Sequence, residues 1–113
     1  MTMKITKRIK GETVAELTLT KLWSNEWEIE YLKVEPSHRG KGLASELLER
    51  AKAHAIKNQL LLIGYLEPIG SLNREQMKSW LVRHGFKHSW YDFTNSFHKG
   101  SQKRVLIFNG SGT

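Results

Sequence analysis

The chain has 113 residues, of which 39% are hydrophobic and 26% charged, and this length and composition predict one domain, residues 1–109, with a flexible tail at residues 110–113. No cysteine is present, which excludes disulfides and thiol nucleophiles. The sequence shows neither a secretory signal nor an apolar run of membrane-spanning length, which predicts a cytoplasmic protein without membrane contact. A formal net charge of +7 favours acidic partners, namely an anionic cofactor, an acidic protein surface or nucleic acid.

The first third of the chain predicts three strands. Alternating apolar residues around 3–9 and 14–19 predict two strands joined by a hairpin at the sequence KGET. The sequence LWSNEW at residues 22–27 predicts a turn with Ser24 and Asn25 at its tip. Residues 27–34, WEIEYLKV, are rich in aromatic and β-branched side chains and predict the third strand, which Pro36 ends.

A helix and a buried strand are predicted next. The apolar run LLLIGYL at residues 60–66 is typical of a strand that is buried on both faces. Because it follows a strand and a helix, we expect a βαβ unit with two parallel strands. The helix is predicted from apolar residues at three-to-four spacing, which are Leu43, Leu47, Leu48, Ala51, Ala55 and Ile56.

The last third predicts a second helix and a strand pair. Asn73 and Gln76 have the spacing of a capping box, and Gly85 lies where a helix C-cap is expected. Residues 86–93 and 103–109 predict an antiparallel pair of strands. The helical face between these signals consists of Met77, Trp80, Leu81 and His84.

The junction between the third strand and the first helix has the character of a phosphate-binding loop. Gly40 and Gly42 remove side chains that would keep a ligand away, and the first turn of a helix offers amide groups without intrahelical partners. Arg39 and Lys41 add positive charge. A basic turn that only connects strand to helix is the alternative. The loop sequence matches neither the P-loop motif nor the dinucleotide-binding fingerprint. The fingerprint requires a glycine at the position of Ser45.

Residues 34–44, placed between this strand and the helix LASELLERA, closely resemble the acetyl-CoA signature of the GNAT superfamily of N-acyltransferases. That signature is Arg or Gln, two residues, Gly, one residue, and Gly or Ala, and Arg39, Gly42 and Ala44 satisfy it. The order of elements from about residue 27 to 109 is also similar. The resemblance implies an α/β (α+β) fold with a mixed, mostly antiparallel sheet, a central βαβ unit and two main helices.

The resemblance also implies how acetyl-CoA would bind. Amides of residues 39–44 would hold the pyrophosphate, backbone groups of Leu32 and Val34 would pair with the pantetheine arm, and an amide near Val34 would stabilise an oxyanion. Asn73 lies near a position where the family often has a cofactor-binding Asn, although a plain helix cap explains it equally well. The residues assigned to the cofactor are Leu32, Val34, His38, Arg39, Gly40, Lys41, Gly42, Leu43, Ala44, Ser45 and Asn73.

Acyl transfer to an amine needs a base and benefits from an acid. Glu28 and Glu30 are two residues apart on one strand, so we expect both side chains on one face of the sheet. Either carboxylate resembles the catalytic base of the family, and we favour Glu28. The usual tyrosine acid is replaced by Leu81. Tyr65, Tyr91 and His84 are substitutes, of which Tyr91 is the candidate we assign. Thiolate is a tolerable leaving group even without an acid, because the ordinary thiol pKa is about 8.5.

The sequence therefore predicts an acetyl-CoA-dependent N-acetyltransferase that acts on a primary amine by direct attack in a ternary complex. Because only 26 residues precede Trp27, the two helices that usually wall the acceptor pocket are missing, and we expect an open site or one completed by a second subunit in a homodimer. The alternatives are a non-catalytic acyl-CoA-binding or basic interaction module on the same fold, and an RNA binder. The five histidines predict no metal site, because no carboxylate cluster completes one.

Overall fold

The computed structural model describes residues 1–65, 73–92 and 102–112. These residues form six strands, two α-helices and a short 3₁₀ turn at Pro36–His38. In chain order the elements are β1 (Thr2–Ile9), β2 (Glu12–Trp23), β3 (Glu26–Val34), α1 (Leu43–Asn58), β4 (Leu61–Tyr65), α2 (Arg74–Arg83), β5 (Lys87–Asp92) and β6 (Gln102–Asn109).

The strands form one sheet in the order β1-β2-β3-β4-β6-β5. Only β3 and β4 pair in parallel, and the other neighbours are antiparallel. The helix α1 connects the parallel pair, so the predicted βαβ unit is present at the centre of the sheet. The α+β fold class, the two helices and the final antiparallel pair predicted from the sequence are confirmed.

Successive side chains along the central strands point to opposite faces of the sheet. Leu62 on β4 lies opposite Phe108 on β6, and both pack in a core that contains residues of α1 and α2. Their neighbours Ile63 and Ile107 also lie opposite each other and belong to a second, smaller cluster with Val105. Both helices therefore cover one face of the sheet, and the second cluster lies on the other face.

The apolar stripe of α1 packs on the helix-covered face. Leu43, Leu47, Leu48, Ala51 and Ala55 are buried, as the spacing predicted. Ile56 is 57% exposed, so its assignment to the stripe was wrong. It follows Ala55 by one residue, which places it about 100° around the helix and on the solvent side. None of the described helices is long and apolar enough to cross a membrane.

The ends of α2 follow the predicted capping signals. The Asn73 side chain accepts a hydrogen bond from the Gln76 amide at 2.8 Å, and the Gln76 side chain accepts one from the Asn73 amide at 3.0 Å. The helix ends at Arg83, and Gly85 has a φ of +89°, the left-handed conformation that glycine supplies after a helix. Local sequence therefore sets both ends of α2.

Residues after β6 continue to pack against the domain. The Gly110 amide donates to the Leu60 carbonyl at 2.8 Å, and Gly110 is buried. A Cβ at this position would lie 2.3 Å from the Ala55 carbonyl oxygen and 2.6 Å from that of Leu60. These contacts indicate that the packed part of the domain extends beyond residue 109. The division into a domain at residues 1–109 and a flexible tail stays a prediction.

We expect Gly110→Ala to destabilise the fold by roughly 2 kcal/mol, because the new methyl group collides with backbone atoms that cannot move independently. Gly112→Ala is the matched control in the same segment, since a Cβ there meets nothing within 4 Å and only the strain of its positive φ, about 1 kcal/mol, is added. Urea denaturation followed by circular dichroism measures both. An unchanged midpoint for Gly110→Ala would show that residue 110 lies outside the cooperative unit.

Asn73→Ala removes the side-chain oxygen that accepts from the Gln76 amide. We expect a loss of about 1 kcal/mol in unfolding free energy, because that amide has no other partner within the helix. Asn73→Asp keeps the acceptor and serves as the control. The same denaturation assay checks this, and equal stability of the alanine and aspartate variants would contradict a capping role.

Candidate functional site

The strand β3 loses its parallel neighbour halfway along its length. Its pairing with β4 begins at Glu26 opposite Leu61 and ends at Ile29 opposite Gly64. Among the described residues, no strand pairs with positions 30–34 on that side, whereas the pairing with β2 continues to Val34. A gap therefore separates the second half of β3 from β4.

Backbone groups of Leu32 and Val34 point into this gap. The Glu35 amide donates to the Val14 carbonyl on β2 at 2.8 Å, so the amide of Glu35 points toward β2. Because successive residues of a strand direct their amides to opposite sides, those of Val34 and Leu32 point away from β2. Arg39 Nε approaches from the gap and donates to the Val34 carbonyl at 3.2 Å.

A β-bulge lies where the two strands separate. Thr18 pairs with Tyr31, but the next residue of β2, Leu19, pairs with Ile29, so Glu30 is an extra residue in β3. A bulge of this kind bends the strand and increases its local twist. The bulge therefore contributes to the divergence of β3 from β4.

The loop between β3 and α1 has the open backbone that the sequence predicted. Gly40 and Gly42 have φ values of +79° and +76°, in the left-handed region that favours glycine. A Cβ at either position would meet nothing within 4 Å, so the space next to both glycines is free for a ligand. Gly42 is the N-cap of α1, and the amides of the following turn lack partners within the helix.

The loop, β3 and α2 enclose a cleft of about 540 Å³, within the usual range for small-molecule sites. Its floor and one wall come from β3 and the loop, and its other wall comes from α2. The lining residues are Leu32, Val34, His38, Arg39, Gly40, Gly42, Leu43, Ala44, Ser45, Glu75, Gln76, Ser79, Trp80 and Arg83.

The structure brings together all the predicted cofactor residues except two. Lys41 and Asn73 are not among the residues that line the cleft. Lys41 is exposed, and the Asn73 side chain is engaged in the capping box of α2. The simple capping role considered for Asn73 is therefore the one that its contacts support.

The wall formed by α2 was missed by the sequence analysis. It contributes Glu75, Gln76, Ser79, Trp80 and Arg83, whose three-to-four spacing places them on one side of a helix. The spacing was visible in the sequence, but nothing in it indicated that α2 packs beside the first turn of α1. Arg83 joins Arg39 and His38 in the cleft, while Glu75 adds one carboxylate, so the lining favours an anion.

A chain of polar side chains connects α2 to the first turns of α1. Trp80 Nε1 donates to Ser45 Oγ at 3.0 Å, and His84 Nε2 lies 3.1 Å from the same oxygen. His84 Nδ1 lies 2.6 Å from Glu49 Oε2, which Lys52 Nζ also approaches at 3.0 Å. The hydrogen bond with His84, followed by Lys52, lowers the pKa of Glu49 below its ordinary value of 4.5, against the opposing effect of burial.

The two candidate bases lie on the face of the sheet away from the helices. Glu28 is 7% exposed and pairs with Ile63 and with Thr20. Glu30 is exposed, and its carboxylate accepts a hydrogen bond from the Thr20 hydroxyl. Since Thr20 is the cross-strand partner of Glu28, both carboxylates share one face, as the sequence predicted.

Of the candidate acids, the structure describes only the side chain of His84. Leu81, at the usual tyrosine position, is 1% exposed and belongs to the core. Tyr91 lies in β5, but its side chain and that of Tyr65 fall outside the described part of the structure. His84 contacts Ser45 and Glu49, away from the bulge in β3.

Across residues 1–65, 73–92 and 102–112, no three His, Asp or Glu side chains lie close enough together to hold a metal ion.

Comparison with known proteins agrees with this geometry. The family model of the acetyltransferase (GNAT) family matches residues 4–86. Streptothricin acetyltransferase of Escherichia coli is 42% identical over 53 residues, which are 47% of this chain and 30% of that protein, so the chain spans under a third of that relative's length.

Two solved structures share the fold at low sequence identity. PaiA N-acetyltransferase from Thermoplasma acidophilum, in complex with coenzyme A, has a TM-score of 0.66 and 18% identity, over 96% of this chain and 60% of that one. The anti-CRISPR protein AcrVA5 has a TM-score of 0.66 and 16% identity, over 96% of this chain and 98% of that one. With a family model that matches most of its length and a fold shared with these structures, this chain belongs to the acetyltransferase (GNAT) family.

Proposed function

We propose that the chain binds acetyl-CoA in the cleft and transfers the acetyl group to a primary amine. The observation that carries this proposal is the open glycine loop at the start of α1, next to the half of β3 that β4 leaves unpaired. Family membership supports it, as do the acetyltransferase name of the relative from Escherichia coli and the coenzyme A complex of the Thermoplasma structure. When bound, acetyl-CoA supplies an acetyl group activated as a thioester.

The residues of the cleft fit such a ligand in two places. The first-turn amides of α1 and the loop around Gly40 and Gly42 would hold the pyrophosphate, because amide dipoles and the guanidinium of Arg39 stabilise negative charge there. The backbone groups of Leu32 and Val34 would hydrogen-bond to the amide-rich pantetheine arm as a further strand would. The side chain of Arg39 would have to share the Val34 carbonyl with that arm or release it.

Glu28 is the base that the geometry favours. An ammonium acceptor must lose a proton before its nitrogen can attack, and a largely buried carboxylate beside the divergence of β3 and β4 could remove it directly or through water. Glu30 is exposed and engaged with Thr20. It remains the second candidate because the two carboxylates share a face.

A proton donor for the departing thiolate is not required for the proposed reaction. Leu81 is built into the core and cannot donate. His84 lies beside Ser45 in the first turn of α1, next to the loop where the pyrophosphate would bind. Tyr91 stays a prediction. The transfer by direct attack in a ternary complex, the nature of the amine, and completion of the acceptor site by a second subunit also stay predictions.

Titration with acetyl-CoA tests the binding step. We expect Gly42→Glu to weaken binding at least about tenfold, because the side chain fills the open space of the loop and repels phosphate. Gly11→Glu is the matched control: Gly11 also has a positive φ, +81°, and open space around it, but it lies in the β1–β2 turn. Isothermal calorimetry measures both. Equal affinities for the two variants would contradict a pyrophosphate site at this loop.

Release of thiol from acetyl-CoA, measured with a thiol-reactive dye and a panel of amines, tests the chemistry. The panel includes streptothricin, polyamines and peptides with free amino groups. We expect Glu28→Gln to slow acetyl transfer by about 10²–10⁴-fold without loss of acetyl-CoA binding, since only proton removal is affected. Glu30→Gln is the control and retains most of the activity.

The reverse order of the two variants would make Glu30 the base. Binding of acetyl-CoA with no thiol release for any amine would instead support the non-catalytic acyl-CoA-binding module. An absence of binding, together with RNA binding that falls steeply with salt, would support the nucleic-acid alternative.

A further inference from the structure

The side chains of Ser45, His84 and Glu49 form a hydrogen-bonded chain that starts in the cleft and runs away from it. Ser45 lines the cleft in the first turn of α1. His84 connects it to Glu49, with distances of 3.1 Å from Nε2 to Ser45 Oγ and 2.6 Å from Nδ1 to Glu49 Oε2. The His84 side chain is 18% exposed, so protons from solvent can reach it.

The donor and acceptor properties of these groups fix most of the hydrogen positions in this series of hydrogen bonds. An ionised carboxylate only accepts hydrogen bonds, so His84 Nδ1 carries the hydrogen shared with Glu49. In the neutral imidazole, Nε2 is then an acceptor, and the Ser45 hydroxyl donates to it. Trp80 Nε1 only donates, and it donates to the same Ser45 oxygen. With His84 neutral, the single hydroxyl proton of Ser45 therefore points away from the cleft.

Protonation of His84 reverses one of these hydrogen bonds. The imidazolium Nε2 carries a hydrogen and donates to Ser45 Oγ, which then accepts from both Nε2 and Trp80 Nε1. Both lone pairs of the oxygen are used, and its own proton is free to be donated to a third partner. The remaining direction is toward the cleft that Ser45 lines.

We propose that His84 is a positioning residue that couples uptake of a proton to binding of the cofactor pyrophosphate through Ser45. A proton from solvent binds Nε2, and the Ser45 hydroxyl turns from His84 to a phosphate oxygen in the first turn of α1. No other bond forms or breaks. This inference rests on the proposed function, because it assumes that a nucleotide phosphate occupies the loop.

Charged groups on α1 and α2 lie around His84. On α1, Glu49 Oε2 lies 2.6 Å from His84 Nδ1, and Lys52 Nζ lies 3.0 Å from the same carboxylate oxygen. Lys52 Nζ also lies 5.1 Å from the ring centre of Phe108 on β6. On α2, Arg83 lines the cleft. Phosphate in the cleft accepts the Ser45 proton only in the arrangement in which His84 Nε2 carries a hydrogen, so binding tightens as pH falls.

The experiment is calorimetric titration with dephospho-coenzyme A. This probe keeps the pyrophosphate but lacks the 3′-phosphate monoester, a group that itself titrates near pH 6. Titrations near pH 6.5, the ordinary midpoint for histidine, in buffers of different ionisation enthalpy give the number of protons taken up. We expect net uptake of a fraction of a proton and binding about fivefold or more tighter at pH 6 than at pH 8.

Two glutamine variants identify the group that takes up the proton. His84→Gln keeps a donor near the Nε2 position but cannot titrate, so we expect binding without proton uptake and with the same affinity at both pH values. His54→Gln is the control, because the His54 ring lies 3.3 Å from the Asn58 side chain and His54 does not line the cleft. It should retain the proton uptake of the parent chain.

Binding of the probe without proton exchange overturns this inference and leaves the proposed function standing. Uptake that persists in His84→Gln, or that disappears in His54→Gln, overturns it as well, since another group would then titrate. Absence of probe binding at either pH overturns this inference, and only a parallel absence of acetyl-CoA binding overturns the proposed function as well. Ser45→Ala adds a last check, because it removes the donated hydroxyl and should reduce the dependence on pH.

Discussion

The short parallel pairing between β3 and β4 is the constraint on which the cleft depends. Four residues of β3 pair with β4, and within the described part of the chain the rest of the strand pairs only with β2. Had the ladder continued, β4 would satisfy the backbone groups of Leu32 and Val34, and no edge would remain for a ligand. Those groups are strong donors and acceptors that need partners. Their orientation toward the gap gives the cleft a polar, strand-like wall.

The second helix converts this gap into an enclosed site. Contacts from Trp80 to Ser45 and from His84 to Glu49 hold α2 against the first turns of α1. Leu81 packs below them, with its Cδ1 in the space where a side chain at Gly64 would lie. The residue at the usual tyrosine position therefore serves packing between α2 and β4. The apolar side chain of Leu81 fills the space that Gly64 leaves open.

The net charge of +7 is less informative than the location of the charges. Several lysines form ion pairs on the surface, such as Lys4 with Glu16 and Lys7 with Glu46, and such exposed pairs stabilise a fold only weakly. Arg39 and Arg83 instead line the cleft. A local excess of positive charge beside helix amides would favour a bound anion whatever the overall charge.

The sequence by itself determined the elements and the loop, because both depend on local chemistry. Apolar spacing predicted the strands and α1, the Asn73–Gln76 pair predicted the start of α2, and the two glycines predicted a backbone open to a ligand. Ile56 was wrongly added to the stripe, since it lies about 100° around the helix from Ala55 and is exposed.

Only the tertiary structure decided which distant residues meet. The α2 wall of the cleft and the contact of His84 with Ser45, 39 residues away in the chain, follow from helix packing and not from sequence spacing. The β3–β4 ladder also ends next to a bulge, which changes pairing with β2 without a distinctive local residue pattern. Long-range packing and strand register are properties of the folded chain as a whole, and local sequence therefore does not encode them one residue at a time.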